Sequence, residues 1–150
     1  MSHEDSLLIR TLRRQPTERP PVWFMRQAGR YLPGYQRIRG ETDFLDLCKT
    51  PDLAAEVSVE PLEVLDVDAV IIFSDILVPL EAMGLKVEFG DSGPCMSNPL
   101  RDRADIEVLN IPDPVESTGF VMDVIRAVHE RGQGKVPVIG FAGAPWTLSC

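Results

Sequence analysis

The chain has 150 residues, 44% of them apolar and 25% charged, a balance that excludes a disordered tail and predicts a buried core. No apolar run approaches the roughly 20 residues of a bilayer span, and the opening MSHEDSLLIR holds no signal-peptide segment, so a cytoplasmic protein with no membrane partner is expected. The net charge of −8 argues against a nucleic-acid partner.

Residues 5 to 14 place Leu7, Leu8, Ile9 and Leu12 among charges and read as a short helix, which Pro16, Pro20 and Pro21 end. Val22 to Met25 reads as a first strand, and Asp43 to Leu47 as a short amphipathic helix. Thr50-Pro51 then supplies an N-cap and a proline at the first helical position. Leu53, Val57 and Val64 share one face of the helix that follows, and Pro61 inside it predicts a kink.

Val67 to Phe73 (VDAVIIF) is apolar without alternation, the pattern of a parallel strand buried on both faces. Leu85 to Phe89 alternates weakly and Gly90, Gly93 and Pro94 break the chain, which predicts a small hairpin before Leu100. From Pro114 to Arg131 the positions Phe120, Val121, Val124, Ile125 and Val128 fit one helical face, closed by Gly132 and Gly134. Val136 to Phe141 is another buried strand. Strands alternating with helices predict an α/β fold of βα units around a parallel sheet or barrel.

Cysteines at 48, 95 and 150 form no CxxC pair, and only His3 and His129 accompany them, so three reduced thiols are expected and no metal site. The charge is unevenly spread. Residues 1 to 40 hold eight arginines against three acids, whereas the remaining 110 hold seven basic and twenty acidic groups. Arginine grips carboxylates and phosphates with two parallel donors, so this bias points to a small anionic ligand near the N-terminal part. Arg10, Arg13, Arg14 and Arg19 are read instead as the solvated side of the first helix.

Three segments carry candidate chemistry. In PVWFMRQAGRYLP (residues 21 to 33), Arg26 and Arg30 flank small residues and Gly29, where backbone can approach a ligand closely. Spacing alone leaves a solvated loop equally open. Asp75 is the first ionisable group after the apolar strand, where parallel α/β folds place active sites, and a helix N-cap for Ile76 to Met83 is its other reading. GFAGAPWT (residues 140 to 147) puts small residues at a further strand end, with room for a bulky ligand.

Taken together, PVWFMRQAGRYLP, AVIIFSDILVPLEAMG and VIGFAGAPWTL, in this order, resemble the uroporphyrinogen decarboxylase family from about Leu8 to Cys150. The resemblance implies a (β/α)₈ TIM barrel of which about three βα units are present. It implies a homodimer in the full-length protein, no cofactor, and a tetrapyrrole substrate: four acetate arms of uroporphyrinogen III lose carbon dioxide to give coproporphyrinogen III. By motif match, Arg26, Gln27, Ala28, Gly29 and Arg30 would bind substrate, as would Arg39. Asp75 would reach the pyrrole N–H groups and act catalytically, with Arg26 as a further catalytic residue cast as proton donor.

Gly34 stands where the family commonly has an acid, and the family's downstream tyrosine, hydroxyl-bearing residue and late histidine do not fall within the 150 residues. The chain stops at Cys150 just after the apolar Pro145 to Leu148 and is read as the N-terminal part of a single barrel domain over residues 1–150, truncated at its C-terminal end and inactive alone. The alternatives are a corrinoid-dependent methyltransferase on a related barrel and a non-catalytic fragment that binds anions or porphyrins.

Overall fold

Helices and strands alternate in a computed structural model that describes residues 5–24, 31–90 and 93–149. In chain order the elements are α1 (Leu7–Leu12), α2 (Pro33–Glu41), α3 (Phe44–Lys49), α4 (Pro51–Leu65), β1 (Val70–Ile71), α5 (Val78–Ala82), β2 (Val87–Gly90), β3 (Gly93–Met96), α6 (Arg103–Glu107), α7 (Pro114–Arg131), β4 (Val138–Ile139) and α8 (Pro145–Ser149). Among the described residues no helix is long and apolar enough to cross a membrane. They form two compact units, Met1–Phe73 with Phe120–Phe141, and Ser74–Gly119 with Ala142–Cys150.

The first unit is built on α4. Its N-cap residue is Thr50, as Thr50-Pro51 predicts, but the Thr50 hydroxyl makes no cap bond; it donates to the Asp46 carbonyl at 2.7 Å, in α3. The helix continues through the buried Pro61 and stops where Asp66 turns left-handed at φ 52°. Its buried face, Ala54, Ala55, Val57, Ser58 and Val59, joins Leu47, Cys48, Val70, Ile72, Val124 and Val128 in one core. There Phe73 meets Tyr35 and Phe44, with ring centroids 5.7 and 5.5 Å apart.

β1 and β4 pair in parallel, Val70 opposite Val138 and Ile71 opposite Ile139. The Val70 N–H reaches the Pro137 carbonyl at 2.9 Å and the Ile72 N–H that of Ile139 at 3.1 Å. The strands are shorter than the apolar runs that predict them, although Val67, Ala69, Val70, Ile72 and Phe73 are all buried. The expected strand from Val22 is absent over Val22–Phe24, and Met25 lies outside the described residues. Pro20 and Pro21 offer no N–H to a ladder, and Val22 is tied to the chain before β1 by the Asp68 N–H (3.0 Å) and the Asp68 carboxylate (2.7 Å). The parallel sheet of the described residues therefore has two strands rather than three.

The second unit contains the predicted hairpin, β2 against β3, with Val87 opposite Met96 and Gly90 opposite Gly93. Leu80, Leu85 and Val87 form its core with Leu77, Met83, Phe89, Met96, Leu109 and Leu148 around them. Helix α6, unforeseen in the sequence, starts in a capping box in which the Asp102 and Asp105 side chains each take the other's backbone N–H. Helix α7 spans the range its periodicity predicts, with one non-helical residue at Thr118.

Candidate functional site

Asp75 follows β1 by four residues. The Ile72 N–H is taken by β4, and the Phe73 N–H by the Ser58 hydroxyl at 2.7 Å. Asp75 then turns the chain: its Oδ1 accepts the Leu77 N–H at 2.8 Å, a bond two residues forward that closes an Asx turn. Helix α5 takes Leu77 as its N-cap, so the carboxylate shapes the approach to the helix rather than capping it. Among the described residues no hydrogen bond is made by Oδ2, and the group is half-buried. Burial raises its pKa above the ordinary aspartate value, opposed by the Leu77 N–H. One oxygen is committed to the turn and the other is available to a donor.

Arg39 sits in the last turn of α2, half-buried, and its Nη1 donates to the Thr42 carbonyl at 2.7 Å. That bond satisfies a helix-end carbonyl, so part of the guanidinium has a local structural use. Arg26, Gln27, Ala28, Gly29 and Arg30 lie outside the described residues. The chain resumes at Tyr31, buries Leu32 and enters α2 at Pro33. There the Glu60 carboxylate, from α4, accepts the N–H groups of Gly34 at 2.6 Å and Tyr35 at 3.0 Å.

The glycines of GFAGAPWT divide. A Cβ on Gly140 would meet nothing within 4 Å, whereas one on Gly143 would stand 2.6 Å from Leu148 Cδ2 and 3.4 Å from Ile76 Cβ. Gly140 thus borders open space, whereas the missing side chain of Gly143 lets Leu148 pack. Cys48 is buried and Cys95 exposed, both as thiols. Among the described residues no three histidine, cysteine or carboxylate side chains come together as a metal-binding group.

Sequence reasoning passed over two residues of this region. Ser58 carried a faint signal, a lone hydroxyl between Val57 and Val59 on an apolar helix face; Glu60 carried none, because its partners lie 25 and 26 positions away.

Residues 3–150 match the profile of the family described as Uroporphyrinogen decarboxylase (URO-D). The chain belongs to the uroporphyrinogen decarboxylase family. A uroporphyrinogen decarboxylase of Myxococcus xanthus is 62% identical over 142 residues, which cover 95% of this chain and 41% of that protein. Those of Trichlorobacter lovleyi and Geobacter sulfurreducens are 55% and 54% identical over 136 residues, 91% of this chain and 40% of each. The chain thus spans about 40% of the length of these curated relatives. Among solved structures, a methyltransferase from Methanosarcina mazei superposes with a TM-score of 0.72 over 99% of this chain and 44% of its own, at 19% identity. That likeness concerns the fold. The fold class is α/β, the TIM-barrel class of the uroporphyrinogen decarboxylase family.

Proposed function

We propose that this chain forms the N-terminal part of a uroporphyrinogen decarboxylase barrel, a single domain that removes carbon dioxide from the four acetate arms of uroporphyrinogen III to give coproporphyrinogen III. Identity of 62% to a uroporphyrinogen decarboxylase across 95% of the chain carries this reading. The half-buried Asp75 carboxylate just past β1, with one oxygen uncommitted among the described residues, supports it. The methyltransferase alternative has a fold likeness at 19% identity, too distant to transfer chemistry.

The reaction needs an electron sink, and the substrate contains one. A proton added to the ring carbon next to the one that bears the acetate arm makes the pyrrole cationic, with part of the charge on the arm-bearing carbon. The bond between the arm's methylene and its carboxylate then breaks, its electron pair neutralises the ring, and carbon dioxide leaves. A second proton on the methylene gives the methyl group, and the ring carbon returns the first. No cofactor is needed for this balance. Asp75 as a carboxylate would accept pyrrole N–H groups and stabilise the cation as it forms, a fixed charge facing developing charge. Arg26 and Arg30 would grip substrate carboxylates bidentately, with Gln27, Ala28 and Gly29 lining the cleft and Arg39 as a further contact. An arginine holds its proton far above neutral pH, so Arg26 serves first as a carboxylate ligand and only second as the proton donor. The assembled enzyme is read as a cytoplasmic homodimer.

The test joins this chain to the remaining length of the Myxococcus xanthus relative and follows anaerobic conversion of uroporphyrinogen III by product mass. Four successive losses of carbon dioxide are expected. A chimaera that folds and leaves uroporphyrinogen unchanged would overturn the reading.

A further inference from the structure

Ser58 is the buried polar residue of the described core, 2% exposed on the face of α4 that otherwise presents Ala54, Ala55, Val57 and Val59. A hydroxyl in such a place costs free energy unless its hydrogen-bonding capacity is used. Here it is used twice, as a donor to the Ala54 carbonyl at 2.6 Å and as an acceptor of the Phe73 N–H at 2.7 Å. The first bond is local to the helix and any serine there could make it. The second crosses from helix to strand end. Successive N–H groups of a strand point to opposite sides. Those of Val70 and Ile72 are taken by β4 and its approach, and that of Phe73, directed away, is taken by Ser58. The Phe73 ring is held between Tyr35 and Phe44. Backbone and side chain of Phe73 are therefore both fixed, two residues before Asp75.

We propose that Ser58 is a positioning residue for Asp75: by holding the Phe73 peptide where the β1 ladder ends, it fixes the direction in which the chain leaves the strand and so the place of the carboxylate. This rests on the reading of Asp75 given above. An alanine would fill the same core without a hydroxyl to satisfy, and the hydroxyl is accounted for by the strand end it secures.

The test uses the chimaera with the Myxococcus xanthus remainder and compares Ser58→Ala, Ser58→Thr, Ser58→Val and Asp75→Asn, with rates normalised to folded enzyme. Ser58→Ala should lower kcat by up to about 10²-fold, as a small misplacement of a reacting group does, with KM little changed. Threonine and valine have the same shape, so Ser58→Thr should recover turnover and Ser58→Val should not. Because Ser58 acts through Asp75, Ser58→Ala should add little in an Asp75→Asn background. Val57→Ala, a core truncation on the same helix, should lower stability and leave kcat of the folded fraction unchanged. Equal kcat in Ser58→Ala and the parent, equal kcat in Ser58→Thr and Ser58→Val, or a loss confined to KM would overturn the proposal. Near-parental turnover in Asp75→Asn, or an inactive parent, would instead remove the reading on which it rests.

Discussion

Glu60 lies so close to the N-terminus of α2 that a side chain at residue 34 would have to displace its carboxylate. Its carboxylate accepts the Gly34 and Tyr35 N–H groups, and a Cβ on Gly34 would stand 2.7 Å from Oε1 and 2.8 Å from Cδ. An acid at position 34, the residue type expected from the family, would collide with this carboxylate and repel its charge. The anion that satisfies the helix start comes instead from α4.

Gly34→Ala and Glu60→Ala should each destabilise the fold by about 1–3 kcal/mol, since both leave partly buried N–H groups without their acceptor. The two losses should not add, because each variant breaks the same pair of bonds. Urea denaturation of the single and double variants checks this, and full additivity would mean that Gly34 and Glu60 act independently.

Arg19 meets Asp68 through two prongs, Nη1 to Oδ2 at 2.5 Å and Nη2 to Oδ1 at 2.8 Å, while Val22 N–H adds a third donor at 2.7 Å. The guanidinium hydrogen bonds lower the Asp68 pKa, helped by Val22 and opposed by desolvation. A folded pKa below the unfolded one adds stability that is full above the ordinary aspartate pKa, about 3.9, and fades as pH falls through the lowered value. Asp68→Asn should flatten the acid side of the stability curve, and Arg19→Lys should flatten it partly, having lost the second prong. Denaturation midpoints from neutral pH into acid test this; an unchanged acid limb in Asp68→Asn would exclude the clamp.

Asp75 has the opposite sign. Burial raises its folded pKa, so the folded state binds the proton more tightly and stability falls as pH rises from the unfolded value through the raised one. Asp75→Asn keeps an oxygen for the Leu77 N–H and removes the buried charge. It should leave stability at neutral pH unchanged or higher while lowering turnover of the chimaera by about 10²–10³-fold. Loss of stability with normal turnover would make Asp75 a turn-forming residue alone. Asp75→Glu separates charge from placement: it should retain more activity than Asn if the charge dominates, and as little if position does.

The arginines should differ by position. In the chimaera, Arg26→Lys and Arg30→Lys should each raise KM substantially, because an ammonium cannot make two parallel bonds to one carboxylate. Arg13→Lys, on the exposed turn after α1, should change little. Equal effects at all three positions, in steady-state kinetics with uroporphyrinogen, would mean that only net charge matters.

At the β4 end, Gly143→Ala should cost about 1–3 kcal/mol through overpacking against Leu148. Gly140→Ala meets no atom within 4 Å and should leave stability unchanged. Thermal melts of both variants distinguish them; equal costs would mean that the two sites are packed alike.

The sequence by itself determined what depends on near neighbours along the chain. The start of α4 at Thr50-Pro51, the span of α7 from Pro114 to Arg131, the hairpin around Gly90 and Gly93, and the burial of Val67 to Phe73 all follow from propensity and periodicity. The motifs around Arg26, Asp75 and Gly140 also disclosed the family. Tertiary structure alone decided which polar groups meet. Glu60 reaches Gly34 across 26 positions, Ser58 reaches Phe73 across 15, and Asp68 reaches Arg19 across 49. It also decided that the run from Val67 pairs over two residues only, that Val22 forms no strand, and that Gly143 is a packing position whereas Gly140 is open. The physical reason is that apolar periodicity records how deeply a residue is buried and not what lies opposite. A hydrogen bond needs a donor and an acceptor about 3 Å apart in a narrow range of angles, which only the folded chain can specify.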